Sequence, residues 1–92
     1  MALLPESDFP ARVARVDCAI QIFLRLYDLA ECKPQEVMPF LVKMGLFSSD
    51  VRKGKPLRDM LRELDSRGML HLMPGLVVDR KLKNRYWRFT MV

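Results

Sequence analysis

A single histidine, His71, and two cysteines, Cys18 and Cys32, are the only imidazole and thiol groups in this 92-residue chain. One histidine excludes a histidine-rich metal site and a repeated proton relay. Two distant cysteines with that one histidine do not match the ligand spacing of a zinc module. Gly54-Lys55 lacks both the earlier glycine and the following Ser or Thr of a phosphate-binding loop. The acids are scattered mainly over exposed helix faces. The sequence therefore predicts no enzyme activity, no cofactor, no metal and no evident small-molecule ligand.

Other absences narrow the class further. Placed on one helix, Cys18 and Cys32 would lie about 21 Å apart at 1.5 Å per residue, against a limit of about 7 Å for a disulfide. Reduced thiols are the expectation. No apolar run reaches the roughly 20 residues that a spanning helix needs. The opening MALLPESDFP carries acids and no basic flank, so it does not read as a signal peptide. The expected setting is intracellular and cytoplasmic, with no membrane partner.

What is present suits one small core. Half of the residues are apolar and 29% are charged, as in an ordinary globular domain. The seven methionines are expected to fill that core. Residues 1–10 read as an N-terminal arm and 11–92 as a single domain. The net charge of +5 is uneven. Residues 1–46 hold five basic and six acidic side chains, whereas residues 47–92 hold eleven basic and five acidic ones. Such asymmetry points to an anionic partner.

Periodicity supplies the elements. Asp8 is placed to cap a helix with Pro10 in its first turn, running to about Ala30. Val13, Val16, Ile20, Phe23, Leu24 and Tyr27 fall within roughly 100° of its arc. Ala19, Ile22, Leu26 and Leu29 widen the apolar sector. Either the domain covers this helix on two sides, or Ile22, Leu26 and Leu29 meet a second copy. A second helix starts near Pro34, with Pro39 expected to kink it or delay its start and Gly45 to end it. Ser48 to Lys55 reads as a loop, with Ser49 or Asp50 capping a possible turn. A third helix spans about Pro56 to Gly68, burying Leu57, Met60, Leu61 and Leu64. From Leu70 the pattern alternates as a strand, bent at Pro74-Gly75. A turn around Arg80 to Asn84 leads to a return strand with Trp87, Phe89 and Met91 on one face.

The expected fold is thus mainly α with a small antiparallel β-hairpin, in the order α-α-α-β-β. With the third-helix stretch LRDMLRELDSRGML, the hairpin after it and the return strand RYWRF, the chain resembles the winged helix-turn-helix superfamily over roughly residues 11–91. It departs in a long loop between the second and third helices. It also leaves little room for the short strand that often joins the first two.

The third helix carries the candidate chemistry. Lys55, Arg58, Arg62 and Ser66 lie opposite its apolar arc, and paired arginines suit guanine edges in a major groove. The bland alternative is a solvated face, with Asp59 pairing to Lys55 or Arg62 and Glu63 to Arg67. Arg52, Lys53 and Lys55 surround a helix start without a good capping side chain, a place where phosphate can bind. Arg80, Lys81, Lys83, Asn84 and Arg85 make a basic hairpin tip, and the resemblance implies that such a wing contacts phosphates or the minor groove. Trp87 is expected to pack inward, while Tyr86 and Arg88 stay open. Together these residues predict binding of double-stranded DNA by a homodimer, with a role in transcription regulation. The competing readings are a protein-interaction or dimerisation module, and an RNA or single-strand binder using Tyr86.

Overall fold

The computed structural model describes residues 5–49, 53–82 and 84–92, and of residues 5–8 the backbone alone. The first helix, α1, spans Pro5–Leu26. It starts before Asp8, whose expected capping side chain lies outside the described residues. It also stops four residues short of Ala30. The chain reverses there: Asp28 adopts a left-handed φ of 53°, and the Leu29 N–H reaches back to the Leu24 carbonyl at 2.8 Å. Leu29 is therefore beyond the helix, half-buried against the core.

This early reversal makes room for a strand the sequence reading did not foresee. β1, Glu31–Cys32, is only two residues long. α2, Pro34–Lys43, follows at once. The Glu36 carboxylate accepts the free Lys33 N–H at 2.6 Å, half of a capping box. Pro39 neither delays this start nor ends the helix. It lies on the exposed side, and burial of Val37, Met38 and Leu41 offsets the backbone bond it cannot make. Gly45, at φ +80°, closes the helix, with the Leu46 N–H on the Leu41 carbonyl at 3.0 Å.

α3, Lys55–Ser66, is strongly two-faced and buries Leu57, Met60, Leu61 and Leu64. Gly54 precedes it at φ +89°, and a Cβ there would sit 2.8 Å from the Gln35 backbone nitrogen. The starts of α2 and α3 thus touch backbone to backbone, at a point where only glycine fits. Leu70–Leu72 is a single 3-10 turn, not the expected strand. Residues three apart share a side in that geometry, and both Leu70 and Met73 pack against the core.

β2, Leu76–Arg80, and β3, Arg85–Thr90, pair antiparallel, with Val78 opposite Trp87 and Arg80 opposite Arg85. β1 adds on the far side of β3, with Cys32 opposite Phe89. The sheet is three-stranded, in the order β1-β3-β2, rather than an isolated hairpin. Three helices and this antiparallel sheet make an α+β fold. Trp87 and Phe89 of the central strand join Ile20, Leu24, Leu41 and Leu61 in one core, while Tyr86 and Arg88 point outward. Met91 lies past the end of β3 and is exposed, so it does not continue the buried row of Trp87 and Phe89. No described helix is long and apolar enough to cross a membrane.

Candidate nucleic-acid interface

Two elements that are distant in sequence converge because α3 packs beside the sheet. Its apolar arc fixes its rotation, so Arg58 and Arg62 face away from Leu57, Leu61 and Leu64. The pairing of β3 with β2 sets Asn84, Arg85, Tyr86 and Trp87 alongside. The start of α2, pinned to α3 at Gly54, supplies Lys33, Pro34 and Gln35. These nine residues line a groove of about 480 Å³. Four of them are cations, and no carboxylate is among them.

The groove cations differ in their attachments. Arg58 donates to the Lys53 carbonyl at 2.8 Å, which steadies the turn before α3. Arg62 is exposed, and its side chain has no partner among the described residues. The two lie one turn apart and repel each other, a strain that an arriving anion relieves. The first turn of α3 contains no acid, so the positive charges of Lys55 and Arg58 there oppose the helix dipole. Arg85 borders the groove, and its guanidinium lies 5.9 Å from the Trp87 ring centre. Tyr86 leaves 55% of its surface open.

Lys55, Arg80, Lys81 and Arg85 are tied to acids. Lys55 binds Asp59 at 2.8 Å and Arg67 binds Glu63 at 2.8 Å, both pairings that the solvated-face alternative offered; its other option, Asp59 with Arg62, does not form. Lys81 pairs with Asp79 at 3.3 Å. Arg80 and Arg85 both grip Asp65 on α3, Arg80 with two hydrogen bonds of 3.0 and 2.9 Å and Arg85 with one. Hydrogen bonds from Arg80 and then Arg85 hold the Asp65 carboxyl at about 2. Arg80 and Arg85 stand directly opposite each other across the strands. Two like charges there repel, and Asp65 is the anion that lets them sit together. This clasp ties the base of the hairpin to α3.

The predicted residues thus divide. Arg58, Arg62 and Arg85 meet in one groove. Lys53 and Ser66 are exposed nearby but do not line it. Arg80 and Lys81 lie on the hairpin, engaged with Asp65 and Asp79. Arg52 and Lys83 lie outside the described residues, as does Asp50. Sequence reasoning missed Lys33, whose place in the groove depends on the contact between α2 and α3. It also missed Asp65 as a clasp, because its partners lie 15 and 20 residues away, beyond any helical or strand spacing. The paired arginines at matching ends of the hairpin were the one available signal.

A second concavity lies between α1 and α2. Its walls are Phe23, Leu26, Tyr27, Pro39, Phe40 and Met44, with Glu36 and Lys43 at the edges, and it encloses about 520 Å³. Phe23 forms its floor, with ring centres 5.1 Å from Tyr27 and 5.4 Å from Phe40. Of the proposed dimer residues, Leu26 lines this groove, Ile22 is exposed outside it and Leu29 is half-buried.

No group of three or more metal-ligating side chains is found among the described residues. Comparison with protein-family models finds no match, and neither do comparisons with curated proteins and with solved structures.

Proposed function

We propose that this chain is a winged-helix domain that binds double-stranded DNA, with α3 entering the major groove and the hairpin resting on the backbone. The observation that carries the reading is the carboxylate-free groove lined by Lys33, Arg58, Arg62 and Arg85. Four cations gathered on one concave surface cost self-repulsion, and polyanion binding gives that cost a use. Arg58 and Arg62, on the outward face of α3, meet the duplex where a guanidinium reaches both the flanking phosphates and the base edges, so they contribute to affinity as well as to readout. Lys33 and Lys53 serve the backbone, and Arg85 shares itself between phosphate and Asp65. Support for the winged-helix assignment comes from the short strand between α1 and α2 and from the β1-β3-β2 order around the return strand. Transcription regulation by a homodimer is the use that this fold suggests by analogy.

The charge pairs at Lys55, Lys81, Arg80 and Arg85 weaken the contribution of those side chains. The apolar groove between α1 and α2 favours a second reading, a protein-interaction module with no nucleic-acid role. Tyr86, open beside the cations, favours a single-strand binder. One binding assay separates the three. Wild type and the Arg58→Glu/Arg62→Glu variant are titrated with generic duplex and with unpaired strands at several salt concentrations. The duplex reading expects affinity that falls steeply with salt and is nearly lost in the variant. Tighter binding to unpaired strands transfers the site to single-stranded nucleic acid. Absence of binding at low salt removes the nucleic-acid reading altogether.

A further inference from the structure

α2 carries Glu36 and Lys43 two helical turns apart, about 10.5 Å along the axis and nearly in line. Both are exposed, and they stand at the edges of the apolar groove between α1 and α2. Glu36 uses one carboxylate oxygen for the Lys33 N–H, leaving the other oxygen without a partner among the described residues. Lys43 has no ion-pair partner among them either. Between the two, Pro39 and Phe40 face the same groove, and Leu26, Tyr27 and Met44 leave 63%, 58% and 51% of their surfaces uncovered beside it.

This pattern is self-complementary. A two-fold axis crossing α2 between Pro39 and Phe40 exchanges position 36 with position 43. Antiparallel α2 helices then bring each Glu36 to Lys43 of the other copy, twice, over a shared apolar centre. A parallel approach sets Glu36 on Glu36 and Lys43 on Lys43, which repel. Closed two-fold assembly requires one patch to fit itself in this way, and charge pairs at an interface select register and orientation.

We propose that this face docks a second copy of the same chain, antiparallel across α2. Leu26, Tyr27, Phe40 and Met44 are buried at the centre and two Glu36–Lys43 pairs close the edges. The interface shares only Leu26 with the surface suggested by the sequence; Ile22 stays outside. None of its lining residues lines the cationic groove, so it stands or falls independently of DNA binding.

The test is sedimentation of the full chain over a concentration series, with folding checked by circular dichroism. Wild type is expected to dimerise. Glu36→Lys and Lys43→Glu are each expected to weaken self-association at least about tenfold, because each sets like charges together. Mixed in equal amounts, the two variants are expected to dimerise with each other, since every position 36 then meets an opposite charge at 43. The double variant is expected to recover self-association. Loss of the helix cap in Glu36→Lys could unfold the chain; Met44→Glu, which leaves the cap intact, is then expected to be a folded monomer. A monomeric wild type, folded variants that fail to complement on mixing, or a Met44→Glu dimer as tight as wild type overturns the proposal.

Discussion

Arg62 is the cleanest place to perturb the proposed DNA contact. Its side chain has no partner among the described residues, so Arg62→Gln removes a charge without breaking an internal bond. The groove offers three cations not committed to a carboxylate, Lys33, Arg58 and Arg62, and a fourth, Arg85, shared with Asp65. Three to four phosphate contacts give a log–log salt slope between about −2.7 and −3.6. Raising salt fourfold, from about 50 to about 200 mM, then lowers affinity by roughly 40- to 150-fold. Arg62→Gln removes one contact and moves the slope by about 0.9, so the same rise costs only roughly 12- to 40-fold. The assay is fluorescence anisotropy with a labelled generic duplex at four or more salt concentrations. Lys81→Gln is the control, because Lys81 lies on the hairpin tip paired with Asp79, and its slope is expected to change less. A wild-type slope near zero, or an Arg62→Gln slope equal to wild type, refutes the placement of phosphate in this groove.

Three further outcomes follow from the geometry. Gly54→Ala forces an L side chain into a left-handed conformation and against the Gln35 backbone, costing more than about 1 kcal/mol and lowering Tm by at least roughly 4–8 °C. An unchanged Tm would mean that α2 and α3 do not meet there. Asp65 has its carboxyl pKa lowered from the ordinary 3.8 to about 2, so its clasp stabilises the fold above pH 3.8 and loses that contribution as pH falls toward 2. Asp65→Asn is expected to lower Tm at neutral pH and to flatten its fall between those limits, and an identical acid profile would refute the clasp. Burial, followed by Glu36 and Glu31, pushes the Cys32 thiol up to about 12, whereas Cys18 is exposed. One equivalent of alkylating reagent is therefore expected to label Cys18 in the native chain and a second to react only after unfolding, with native labelling of Cys32 contradicting the placement of β1.

Much of the local structure was legible in the residues. The four apolar side chains of α3 repeat at helical spacing and the same four are buried. Gly45 ends α2, and the alternation of Trp87 and Phe89 against Tyr86 and Arg88 carries through to the sheet. Where the reading failed, the competing signal was tertiary. β1 is too short to have any period of its own and exists because Glu31 and Cys32 pair with Thr90 and Phe89. The stretch Leu70–Met73 has an alternation that a 3-10 turn buries as well. α1 ended early because the chain had to reverse into that strand.

The cationic site shows the same division. Sequence by itself determined that the second half is basic and that α3 has a polar face bearing Arg58 and Arg62. Each of these is a property of residue type or of spacing along one element. Only the tertiary structure decided which cations share a surface and which are already answered by an acid. Lys33 joined the groove because Gly54 lets α2 and α3 touch, and Arg80 and Arg85 were claimed by Asp65 across the hairpin. Coulomb interactions act through space over a few ångströms, so their partners are fixed by packing, and the linear order of the chain carries no record of them.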